Sequence, residues 1–98
     1  MQGHIFIQEA PEELDVDDLR THLRTSGCGA IVSFIGITRG EDGGEEVLRL
    51  EFDAWQDKLS ETLHGLAEQA IDRFGLKSVA MAHRTGSVGP GENIVAIH

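Results

Sequence analysis

Apolar and polar positions divide this chain into short alternating stretches. His4-Ile5-Phe6-Ile7-Gln8 is rich in β-formers and runs into Ala10-Pro11, which reads as a first strand ending in a turn. Val16, Leu19 and Leu23 then recur at helical spacing. Asp15 is placed to cap that helix, Asp17 and Asp18 fall in its first turn, Arg20, His22 and Arg24 follow, and Gly27 is the expected stop. Residues 29–39 are apolar and β-branched, as a buried central strand would be, and Gly36 within them implies a bulge or a close approach by another group. A polar, glycine-rich loop follows. Val47, Leu48, Leu50 and Phe52 then largely alternate as a half-buried strand, which makes a hairpin-like unit with the strand before the loop. Between Asp57 and Phe74 the positions Leu59, Leu63, Leu66, Ala67, Ala70, Ile71 and Phe74 form one helical stripe, ended by Gly75. Residues 77–84 read as a strand, 86–91 as a loop containing Pro90, and 93–98 as a last strand. The order predicts an α+β domain of ferredoxin-like type, with two helices covering one face of a mostly antiparallel sheet.

Composition narrows the function more than the fold. At 98 residues, residues 1–98 read as a single domain with a modest core that would gain from a partner surface. Seventeen acidic residues against eight basic ones give a net charge of −9, which argues against nucleic-acid binding, because phosphate neutralisation needs clustered cations. No apolar run is long enough for a membrane span and the start has no signal-like layout, so the expected setting is cytoplasmic, with no membrane partner. Cys28, between Gly27 and Gly29, has no second cysteine to pair with and reads as a small filler rather than a nucleophile.

Generic motif searches return no phosphate loop, no zinc spacing and no nucleophile in a recognised local setting. A constellation says more. Gly29-Ala-Ile-Val-Ser-Phe-Ile-Gly-Ile-Thr-Arg39 is followed by an acidic glycine-rich loop, then Leu50-Glu-Phe-Asp-Ala-Trp55, then the long helix. Val79-Ala-Met-Ala-His-Arg-Thr-Gly86 and Val88-Gly-Pro-Gly-Glu-Asn-Ile-Val95 come after it. Together these stretches resemble the large, catalytic subunit family of molybdopterin synthase from about Gly29 to the end, with the amino-terminal strand and helix matching more loosely.

The resemblance implies that family's α/β hammerhead-like variant of the fold. It also implies a homodimer at the centre of a heterotetramer, in which each large subunit binds a small ubiquitin-like sulfur-carrier subunit. The carrier's thiocarboxylate tail would deliver sulfur twice to cyclic pyranopterin monophosphate, and no dissociable cofactor is implied. Ile37, Thr38 and Arg39 fall at the family's substrate-binding stretch. Arg39 suits an anion, since a guanidinium keeps its charge and offers a planar fork of donors; Ile37 and Thr38 would act through backbone groups. Without the resemblance, Arg39 would be an ordinary solvated arginine at a strand end.

His83 and Arg84 are adjacent on a strand and would point to opposite faces, so they are expected to be structural, near a subunit interface. Arg73 is expected at the surface near a helix C-terminus, and Trp55 is expected to be a hydrophobic anchor. The family's catalytic lysines, and a further His-Arg pair, are expected beyond the last strand, outside these residues. Neither Lys58 nor Lys77 occupies a matching position, so the catalytic residues stay unassigned. A noncatalytic carrier-binding module of the same fold is the competing expectation, and a ferredoxin-like small-molecule sensor is a weaker third.

Overall fold

The computed structural model describes residues 3–42, 45–46, 50–52 and 58–98. Its elements are β1 (His4–Ala10), α1 (Val16–Arg20), β2 (Phe34–Ile37), β3 (Glu41–Asp42), β4 (Glu45–Glu46), β5 (Leu50–Phe52), α2 (Lys58–Phe74), β6 (Ser78–Arg84), β7 (Gly86–Val88) and β8 (Asn93–Ile97). Four strands form the main sheet in the order β1-β6-β8-β2. β1 runs parallel to β6, while β6 with β8 and β8 with β2 are antiparallel. The α+β class and the mainly antiparallel pairing are as the sequence implies.

The helices, however, do not share a face. Along β6, Ala80 and Ala82 join Phe6, Ala10, Leu14, Leu19 and Ala96 in the cluster under α1. The intervening Val79 and Met81 join Ile5, Ile7, Leu59, Leu63, Ala67 and Ile97 under α2. Successive strand residues point to opposite faces, so a strand apolar at every position is buried on both sides, one by each helix. Small alanines let α1 approach closely, and the larger side chains fill the space beneath α2.

Helix α1 is also shorter than its sequence pattern. Asp15 caps it as expected, its side chain accepting the Asp18 amide at 3.0 Å. The amides of Thr21, His22 and Leu23 then each bond three residues back instead of four, to Asp18, Leu19 and Arg20. That tightening ends the helix well before Gly27. In α2, Leu59, Leu63 and Ala67 are buried, whereas Leu66 and Phe74 are 49 % and 67 % exposed. The residues four apart face the sheet, and the other half of the apolar stripe lies on an open flank. Gly75 closes the helix as expected, with φ +67° and its amide bonded to the Ile71 carbonyl at 2.8 Å.

Two further expectations give way. The 29–39 segment contributes only the four residues of β2, at the edge of the sheet, and β2 pairs with β8 and not with the strand that follows it in sequence. β5 pairs instead with β7, inside the stretch read as a loop. Trp55 and Val47–Leu48 lie outside the described residues. Among the described residues no helix is long and apolar enough to cross a membrane.

Candidate functional site

Gly36 does both things expected of it. The register against β8 shifts between Gly36 and Ile37, and a Cβ on Gly36 would lie 2.8 Å from Val95 Cγ1. Side chains then alternate in exposure beyond that irregularity. Ile37 is 54 % exposed, Thr38 only 2 %, and Arg39 is exposed again. Arg39 is therefore exposed just beyond the strand end, and Thr38 turns inward.

The Thr38 backbone is not open to a ligand in the way expected. Its amide donates to the Glu92 carbonyl at 3.0 Å, and its carbonyl accepts the Gly91 amide at 2.9 Å. Among the described residues its buried hydroxyl has no hydrogen-bond partner. The segment that grips Thr38 is a tight turn. In Gly89-Pro90-Gly91-Glu92 the Glu92 amide returns to the Gly89 carbonyl at 3.2 Å, and Gly91 has φ +81°. Proline second and a left-handed glycine third are what a type II turn requires.

Behind that turn sits Arg84, 3 % exposed. Its Nε donates to the Ala10 carbonyl (3.1 Å), Nη1 to Glu92 Oε1 (2.9 Å) and Nη2 to the Ser87 carbonyl (2.8 Å). Glu92 Oε2 also accepts the Gly89 amide at 2.6 Å. With every guanidinium nitrogen bonded internally, Arg84 is structural as expected. Its neighbour His83 is half-buried, with Nδ1 at 2.6 Å from the Arg84 carbonyl. The ion pair itself was not foreseen. Its trace in the sequence is an arginine eight residues before an acid that directly follows Pro-Gly.

The sheet register places this machinery at one end. Ile37 pairs with Asn93, and β6 leaves the sheet at Arg84 on the same side. A concavity of about 480 Å³ there is lined by Glu12, Glu13, Leu14, Arg84, Gly91, Glu92 and Asn93. At the opposite end a more apolar cavity of about 520 Å³ has Cys28, Ile31, Val32, Leu76, Lys77 and Met81 among its lining. Neither cavity is lined by Arg39. Cys28 is partly buried on that cavity wall. Lys77, whose Nζ donates to the Gly27 carbonyl at 2.7 Å, stands at the sheet end away from Arg39. Lys58 is exposed at the first residue of α2. Arg73 lies in the last turn of α2, as expected, with its guanidinium carbon 5.2 Å from the Phe74 ring centroid.

Among the described residues no group of three or more His, Cys, Asp or Glu side chains could hold a metal ion. What this end of the sheet offers is an exposed arginine on a backbone clamped from one side, a residue type suited to holding an anion.

Comparison with known proteins agrees with the resemblance drawn from the motifs. The chain is 34 % identical over 93 residues to the molybdopterin synthase catalytic subunit of Coccidioides immitis, covering 95 % of this chain and 47 % of that one. The solved molybdopterin biosynthesis MoaE protein from Burkholderia ambifaria superposes with a TM-score of 0.77 at 26 % identity, covering 98 % of this chain and 62 % of that one. The molybdopterin synthase structure from Staphylococcus aureus shares the fold, with a TM-score of 0.83 at 20 % identity over 91 % of this chain and 65 % of that one. The chain thus spans about half to two thirds of the length of these relatives. The family model for the MoaE protein matches residues 9–98, which takes in every element from the end of β1 through β8, and the chain belongs to that family.

Proposed function

We propose that this chain serves in the catalytic subunit of molybdopterin synthase, which transfers sulfur from a thiocarboxylated small carrier to cyclic pyranopterin monophosphate to build the dithiolene. Family membership and the names of the relatives support this. The observation that carries it to a residue is Arg39, exposed just beyond the end of β2, next to the clamped Thr38. A cyclic phosphate presents paired anionic oxygens, and a planar fork of donors matches them. Ile37 would flank the ligand as an exposed apolar neighbour, and Thr38 would hold the backbone.

Sulfur transfer on this reading needs an amine beside the substrate; Lys77 stands at the far end of the sheet, and Lys58, two residues before the Ser60–Glu9 bond, stands at the β1 edge, across the sheet from β2. Neither lysine is assigned a catalytic role in this proposal. The exposed apolar side chains Val32, Phe34, Ile35 and Ile37 favour a surface covered in the assembly, by the carrier or by a second copy. A noncatalytic carrier-binding module of the same fold is the competing reading, favoured by the scarcity of lysine. The test is calorimetric titration of cyclic pyranopterin monophosphate. Arg39→Ala is expected to weaken binding by about 10- to 100-fold, the value of a charge-assisted hydrogen bond or two. Equal affinity in the variant removes Arg39 from the site, and no binding by either protein favours the carrier-binding module.

A further inference from the structure

An ion pair buried on one side only, as Arg84 is while the Glu92 carboxylate is half exposed, contributes little net stability, because desolvation and solvent screening offset most of the attraction. What a saturated one does supply is a fixed geometry. Arg84, with all three guanidinium nitrogens bonded, ties the end of β1 at Ala10, the Ser87 carbonyl and the Glu92 carboxylate to one rigid group. From Glu92 the connections run one way. Its second carboxylate oxygen holds the Gly89 amide, closing the turn at Pro90-Gly91 from the side-chain direction. Its backbone carbonyl and the Gly91 amide take the two backbone groups of Thr38. Arg39 is the next residue.

We propose that Arg84 and Glu92 are a positioning pair for Arg39, an inference that rests on Arg39 as the anion contact proposed above. The pair does not touch the ligand. It fixes the turn, the turn fixes Thr38 at both its amide and its carbonyl, and the direction in which Arg39 leaves the strand follows. The glycines agree with this division of labour. Gly91 supplies the left-handed φ that the turn needs, and a Cβ on Gly89 would lie 2.8 Å from Glu92 Oε2, so a side chain there would displace the carboxylate.

Two measurements on the whole chain test the pair and its parent reading separately. In the first, without ligand, amide hydrogen exchange is followed by NMR in Glu92→Gln and, should that variant fold poorly, in Glu92→Asp. The Thr38 and Gly91 amides are expected to exchange at least about tenfold faster, while the Ala80 amide, bonded to the His98 carbonyl at the other end of the sheet, keeps its protection. Unchanged protection at Thr38 and Gly91 overturns the proposal. In the second, cyclic pyranopterin monophosphate is titrated into wild type, Glu92→Gln, Arg39→Ala and the double variant. Glu92→Gln is expected to weaken binding about tenfold on its own and to add nothing once Arg39 is gone, because residues acting through one another are non-additive. Equal losses in both backgrounds mean a merely structural pair and overturn the proposal. Wild-type affinity in Arg39→Ala overturns the parent reading, and the proposal that the pair positions an anion contact falls with it, whatever the exchange data say of the turn.

Discussion

Arg39 and Arg84 stand at the same end of the sheet and do opposite things. Arg84 is buried, with Nε, Nη1 and Nη2 all bonded inside the chain; Arg39 lies exposed one residue beyond a clamped threonine. Identical side chains therefore divide into one that holds the scaffold and one that the scaffold presents. The difference teaches where to look for ligand chemistry. A buried guanidinium bonded inside the chain through all three nitrogens is held away from a phosphate, whereas an exposed one is within reach of it.

The largest effect that would sharpen this contrast is on stability. Arg84→Ala is expected to cost about 3 kcal/mol in denaturant unfolding, since it removes a buried side chain together with its three hydrogen bonds. Arg39→Ala is expected to change stability by no more than about 0.5 kcal/mol, as exposed substitutions do. Comparable losses in the two variants would erase the distinction. A smaller effect concerns the residue between turn and site. Thr38→Val keeps the shape of the side chain and removes a buried hydroxyl without a partner among the described residues, so stability should be unchanged or rise by up to about 1 kcal/mol. Ligand affinity should not move, because Thr38 faces inward. A weakened titration would make that hydroxyl a ligand contact.

The sequence showed the local grammar of the fold well. The Asp15 cap, the Gly75 stop and the close approach at Gly36 each follow from a residue type whose backbone or side-chain chemistry acts on its immediate neighbours. Long-range placement was harder to read. An apolar run such as residues 29–37 looks the same whether it fills the middle of a sheet or lies along an edge with Phe34 61 % and Val32 83 % exposed. Hydropathy records that a surface avoids water, not which body covers it. Likewise the alternation of Val79, Ala80, Met81 and Ala82 is apolar on both faces, and only the tertiary structure assigns one face to each helix.

The site was legible in part for the same reason. Arg39 could be singled out because the residues around it resemble those of a known family, and its exposure agrees with a ligand-facing role. The pairing of Arg84 with Glu92 depends on a turn bringing two residues eight apart into contact, and its one mark in the sequence is the Pro-Gly before the acid. That Thr38 would be held through its backbone, instead of offering it to substrate, depends on β2 lying beside β8, which the sequence order does not declare.

The most direct test of the whole account is sulfur transfer itself. It would be measured as dithiolene formation from cyclic pyranopterin monophosphate, with a thiocarboxylated carrier and the full-length protein in its native assembly. Wild type is expected to turn over and Arg39→Ala to lose about 10- to 100-fold in kcat/KM while remaining folded. Undiminished turnover by a folded Arg39→Ala protein would contradict the account.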